Sequence, residues 1–158
     1  MNPTASKNLA LGKTYTTTDP NRDDAWDDDG KKLTDGLREL TATSPRCAAW
    51  KLGADVEIVI DLGEATNVDT FKVIAASQSG WGVSAPAKIE VALSTDGTNF
   101  TDCGVTSTTV LLGTFGDWGQ HELSVSLSAK QSARYVKIVV THGGDHTWIH
   151  EVEVFNLL

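Results

Sequence analysis

Asp55 to Leu62 reads DVEIVIDL, and the alternation within it decides the fold class. Val56, Ile58, Ile60 and Leu62 fall on one side of an extended chain, with Glu57 and Asp61 on the other. That is the pattern of a strand with one face in a core and one in water. Working outward, Lys88 to Ser94 (KIEVALS) repeats the alternation with Ile89, Val91 and Leu93 inward. Asp96-Gly97 then marks a turn before the chain resumes at Asn99-Phe100. Arg134 to Thr141 (RYVKIVVT) buries Val136, Ile138 and Val140. Val68–Ala75, Thr108–Leu112, Gln120–Leu127 and a closing strand near Trp148–Asn156, with Val152 and Val154 inward, complete the set. One short helix is expected near Lys31–Leu40, weakened by Gly36. Many short strands separated by Gly, Asp, Ser and Thr turns predict an all-β sandwich or jelly roll.

The bulk numbers bound the function. The chain has 158 residues, enough for one domain. A domain of this size buries roughly 70% of the surface its unfolded chain exposes, so it folds without staples. The formal net charge of −8 argues against a nucleic-acid partner, whose affinity comes mainly from Lys and Arg on phosphates. It equally disfavours an anionic membrane. No apolar run approaches the length of a membrane span, and the N-terminus has no secretory apolar region. Residues 1–7 read as a linker end or cloned start, and 8–158 as a single domain cut from a longer secreted protein. Cys47 and Cys103 either form one disulfide or sit as small buried hydrophobes.

Three long polar loops with aromatic residues lie between the strands: Thr16–Leu33, Ser77–Ala87 and His142–Thr147. Loops on a rigid sandwich are the usual seat of function. The first runs into DDDGKKLTDG, Asp27 to Gly36, with four carboxylates in ten residues. An EF-hand loop does not fit it. With Gly30 as the required glycine, Ala25 and Gly36 occupy the first and twelfth positions, where acids are needed. His142, His146 and His150 recur every four residues, but Gly143-Gly144 prevents the helix that would make this a zinc motif.

Six motifs occur in order: NLALGK (Asn8–Lys13), KKLTDG (Lys31–Gly36), VEIVIDLG (Val56–Gly63), STDGTNF (Ser94–Phe100), ARYVKIVV (Ala133–Val140) and IHEVEVF (Ile149–Phe155). In that order the chain resembles the F5/8 type C, or discoidin-like, domains, especially the bacterial family 32 carbohydrate-binding modules. The resemblance implies an eight-stranded antiparallel β-sandwich with jelly-roll topology, the galactose-binding-domain-like fold. It also implies one structural calcium ion. Carried residue by residue, its ligands are the carbonyls of Lys32 and Leu37, the Asp35 carboxylate, Thr41, the His150 carbonyl and the Glu151 carboxylate. Thr41 lies one position beyond the usual spacing, which Leu40 occupies. Calcium takes six to eight oxygens in flexible geometry, so such a mixed set is chemically coherent. The plain alternative has Asp35 capping a turn and Glu151 as a solvated strand charge. Asp27, Asp28 and Asp29 are then solvated loop charges.

Carbohydrate recognition needs an aromatic face to stack on a sugar ring and polar groups to pair with its hydroxyls. Trp81 sits in SQSGWGVSAP between Gly80 and Gly82, as an aromatic presented on a loop tip would. The family often places Arg then Asn in this loop, where this chain has Gln78 and Ser79. That departure argues against galactose-type recognition. Asp145 and His146 in the loop before the last strand, and Trp26 on the N-terminal loop, complete the expected sugar site. Trp50 and Trp148 read as core, while Trp118 in Gly-Asp-Trp-Gly reads either way.

No catalytic constellation is present: G-x-S-x-G, H-E-x-x-H, a P-loop and G-x-G-x-x-G are all absent. The expected function is a non-catalytic, monomeric, extracellular carbohydrate-binding module that targets a secreted bacterial glycoside hydrolase to glycans. The alternative is an adhesion or protein-interaction discoidin domain. Lipid binding is disfavoured because the long loops carry acids rather than apolar spikes beside bases.

Overall fold

The structure is a computed structural model and describes residues 6–18, 29–38 and 47–158. Its strands are β1 (Thr14–Thr17), β2 (Ala48–Lys51), β3 (Val56–Ser77), β4 (Lys88–Ser94), β5 (Thr101–Thr106), β6 (Val110–Phe115), β7 (Trp118–Thr141) and β8 (His146–Phe155). Every pairing between them is antiparallel. This is the all-β sandwich that the alternation predicts, with the eight antiparallel strands that the family resemblance implies.

Two of the strands are far longer than expected. The sequence reading breaks β3 and β7 into two strands each, at the polar stretches after Leu62 and Leu127. The structure keeps both extended. Thr66, Asn67 and Val68 of β3 pair with Ala133, Ser132 and Gln131 of β7, with register shifts on either side. The corner is polar because it faces water, not because the ladder ends there. The β3–β7 ribbon thus passes from one layer to the other. One layer is built from β6, the first part of β7, the second part of β3, β8 and β2. The other holds β1, the first part of β3, the second part of β7, β4 and β5.

The alternating residues meet between the layers as expected. Ile58, Ile60, Phe71, Ile89, Leu123, Ile138, Ile149 and Val152 are all fully buried in one core. The N-terminal NLALGK motif is tied to the last strand: Asn8 Oδ1 accepts the N–H of Val154 at 3.1 Å, and Leu9 N–H donates to the Val154 carbonyl at 2.7 Å. No disulfide joins the cysteines. Cys47 packs in a smaller cluster with Trp118 and Trp148, Cys103 packs against the main core, and burial pushes both thiols up to about 11.

The helix expected over Lys31–Leu40 is not formed over its described part. Only a 3-10 turn, Lys32–Thr34, is present. Gly36 takes a φ of 80°, a conformation outside the right-handed helix that favours glycine. The turn is held from both sides: Asp29 Oδ1 accepts the N–H groups of Lys31 and Lys32, and Thr34 Oγ1 donates to the Lys13 carbonyl at 2.8 Å.

One irregularity positions the functional side chains. Ile74 pairs with Glu151 but Ala75 pairs with Ile149, so His150 is an extra residue in β8. Such a bulge shifts the side-chain alternation by one. Ile149 and Val152 face the core, and Trp148 and Glu151 both fall on the outer face of their layer.

Candidate functional site

The outer face of this layer carries two constellations. At one end, three indoles converge. Trp118 opens β7, Trp148 lies near the start of β8, and both are 5% exposed. Their ring centroids are 5.0 Å apart and the planes tilt by 37°. Trp81 stands across both, with centroids 5.4 Å from Trp118 and 6.1 Å from Trp148 and interplanar angles of 76° and 72°. It is 56% exposed. Edge-to-face contacts are a favoured aromatic geometry, so two buried rings seat a third that is open to solvent.

The loop that carries Trp81 is a 3-10 turn, Ser79–Trp81. Gln78 Oε1 accepts the Gly80 N–H at 2.9 Å, and Gly82 closes the turn with a φ of 69°. Gln78 and Val83 exchange backbone hydrogen bonds of 2.8 and 3.0 Å across it. Gln78 is therefore buried, with its amide oxygen spent on shaping the loop. The sequence reading has it as a contact to ligand; in the structure its amide oxygen braces the turn that carries Trp81.

The loop before β8 docks beside this turn. His146 N–H donates to the Gly82 carbonyl at 3.0 Å, and the Ser84 N–H donates to the His146 carbonyl at 3.1 Å. A Cβ placed on Gly82 would lie 3.4 Å from Asp145 Oδ2 and 3.6 Å from His146 Cδ2. Trp81, Asp145 and His146 thus come together at one rim, with Asp145 exposed and His146 half-buried. Trp26 and Thr41 lie outside the described residues. The same loop is pinned below. The His142 ring is 2.7 Å from Thr147 Oγ1 and 3.1 Å from the Ala54 carbonyl. The carbonyl makes Nε2 the donor, and both ring nitrogens are engaged.

The second constellation surrounds Glu151, which is 0% exposed. Its Oε2 accepts the N–H groups of Gly36 and Leu37, each at 3.0 Å. Asp35 Oδ1 accepts the Leu37 N–H at 2.9 Å. Glu151 Oε1 is buried without a hydrogen-bond partner. Burial, and then the neighbouring Asp35 carboxyl, push the Glu151 carboxyl up to about 9. A buried, solvent-free glutamate is the opposite of the solvated strand charge that the plain alternative required. Among the described residues no three His, Cys, Asp or Glu side chains form a metal cluster. Next along the face, Arg38 Nε donates to Glu153 Oε2 at 2.9 Å, and Lys72 pairs with Glu122 at 3.2 Å. That latticework fixes the 29–38 segment over the sheet.

An antiparallel sandwich with an aromatic rim and a carboxylate-lined bend defines a class of small β-domains rather than one activity. Within that class, the sequence pattern of the F5/8 type C domain family matches residues 12–154, and the chain belongs to that family. No curated protein matches its sequence. Among solved structures, it is similar to chitosan-binding module 1 from the chitosanase/glucanase of Paenibacillus sp. IK-5, with TM-score 0.65 and 24% identity over 95% of this chain and 99% of that one. It is similar to CpGH89CBM32-5 from Clostridium perfringens, solved with GalNAc-β-1,3-galactose, with TM-score 0.67 and 21% identity over 95% of this chain and 100% of that one. A third is the lectin domain of lectinolysin complexed with Lewis B antigen, with TM-score 0.65 and 21% identity over 96% and 98%.

Proposed function

We propose that this domain is a non-catalytic carbohydrate-binding module with its sugar site on Trp81. The observation that carries this reading is an indole more than half exposed yet seated on two buried tryptophans. A ring already fixed loses little entropy when a sugar stacks on it. Asp145, exposed beside Gly82, offers acceptors to sugar hydroxyls, and His146 lies next to it. Gln78 holds the turn. The solved relatives described as binding chitosan, GalNAc-β-1,3-galactose and Lewis B antigen support the ligand class. One open ring with few polar neighbours implies weak affinity, on the order of 10 μM to 1 mM.

The role that follows is targeting. Such a module holds a linked enzyme, here a secreted bacterial glycoside hydrolase, near its glycan and raises the effective concentration. Among the described residues no helix is long and apolar enough to cross a membrane.

Calcium is the second part of the reading. A buried carboxylate oxygen without a donor, facing a second carboxyl, suits a hard divalent cation that supplies the missing positive charge. Asp35 and Glu151 would give carboxylate oxygens, and Lys32, Leu37 and His150 carbonyls, with Thr41 as the further candidate. Bound there, the ion would tie the 29–38 bend to β8 and so act on stability.

A glycan array probed with the wild type and with Trp81→Ala tests the sugar reading. Signal lost in the variant supports it. A wild type that binds no glycan would sink it and leave the adhesion reading in its place.

A further inference from the structure

We propose that Phe115 is a second sugar-stacking residue, so that the site spans at least two units of an oligosaccharide, from Trp81 across Trp118 to Phe115. This rests on the carbohydrate reading of Trp81.

Phe115 ends β6 and pairs directly with Trp118 across the Gly116-Asp117 turn. Residues opposite one another in an antiparallel pair project to the same face. Phe115 therefore stands on the face that carries the tryptophan cluster. It is 58% exposed, against 5% for Trp118. Two exposed aromatic residues thus neighbour one buried ring: Trp81, whose centroid is 5.4 Å from it, and Phe115, opposite it in the ladder.

The positions nearest Phe115 sort away from it, and Val110, opposite Glu122, shares its face only at the far end of β6. Thr114 and Leu111 pair with Gly119 and His121, which puts them on the opposite face. Gly113 pairs with Gln120 and adds no side chain beside Phe115. The tip is thus a lone phenyl next to a side-chain-free position, with Asp117 exposed at the turn. From Cys103 to Gly116 there is no charged residue, so nothing long and charged folds over the ring from its own strand. A phenylalanine more than half exposed gives the hairpin tip only the small gain of a cross-strand pair. A sugar ring laid on it does gain contact area.

Titration calorimetry tests the proposal with two probe series: glucosamine, chitobiose and chitotriose; and galactose with GalNAc-β-1,3-galactose. In the wild type, affinity should rise from one sugar unit to two. In Phe115→Ala that gain should shrink by roughly five- to tenfold while monosaccharide affinity stays within twofold. Phe115→Tyr should restore the gain, and the melting temperature of all three proteins should agree. Trp81→Ala should weaken every probe alike. If Phe115→Ala keeps the full gain, or if the wild type shows none, the inference is overturned while binding lost in Trp81→Ala leaves the sugar reading standing. If the wild type binds neither series and no glycan on an array, both fall.

Discussion

Glu151 accepts the backbone N–H of Gly36 at 3.0 Å across 115 positions of sequence, and its other carboxylate oxygen is buried with no hydrogen-bond partner. The long-range contact fixes where the early bend lies. The unmatched oxygen is the observation on which the calcium proposal rests.

Calcium should raise the melting temperature. At a hundredfold excess over its dissociation constant the ion adds about 2.7 kcal/mol, which for a domain of this size is on the order of 5–10 °C. Differential scanning calorimetry with calcium and with chelator reads the shift. Glu151→Gln and Asp35→Asn should each lose most of it, and a wild type insensitive to both additions would end the calcium proposal.

The pH dependence has a definite sign. Without the ion, the Glu151 pKa lies near 9 in the folded protein, above its ordinary value of about 4.3. The stabilising effect of that raised pKa is complete below the ordinary value and is lost as pH rises through about 9. Calcium requires the ionised carboxylate, so its binding competes with the proton. The calcium-induced rise in melting temperature should therefore grow from pH 5 to pH 9. A shift that shrinks over that range would contradict the assignment.

Trp81 and Trp118 should separate cleanly. Trp81→Ala removes an exposed ring and should cost at least tenfold in glycan affinity with little loss of stability. Trp118→Ala removes a buried one and should cost about 3–5 kcal/mol in denaturant unfolding. Equal destabilisation by the two would mean that Trp81 serves the core.

Gly143 offers a test of the loop beside the indole. A Cβ there would sit 2.1 Å from the Ala85 carbonyl oxygen, a backbone atom. Gly143→Ala should therefore displace the 142–146 loop, costing about 1–3 kcal/mol of overpacking and weakening glycan binding with it. Retained affinity would place Asp145 and His146 outside the site.

Much of the architecture was legible because half-buried strands declare themselves by alternation. Lys88–Ser94 is read from the sequence with the bounds it has in the structure. β1, β2 and β5 were not read. TYTT has no apolar alternation, AAWK is buried at three consecutive positions, and TDCGVT has no fully buried position. The glycines flanking Trp81 revealed an exposed ring, but nothing local showed that Trp118 and Trp148 support it, since the bulge at His150 sets that register. Phe115 escaped because the sequence reading ends its strand at Leu112; the fold carries β6 on to Phe115, with all six residues exposed.

The same two strands, β3 and β7, pass through both layers, and this governs how the domain fails. Detaching one layer would strain the other, since both are built on the same two central strands. Loss of structure should come in one cooperative step, and refolding should be slow because the partners lie far apart along the chain. A domain built this way is either wholly present or wholly gone, leaving proteases few half-open forms to cut.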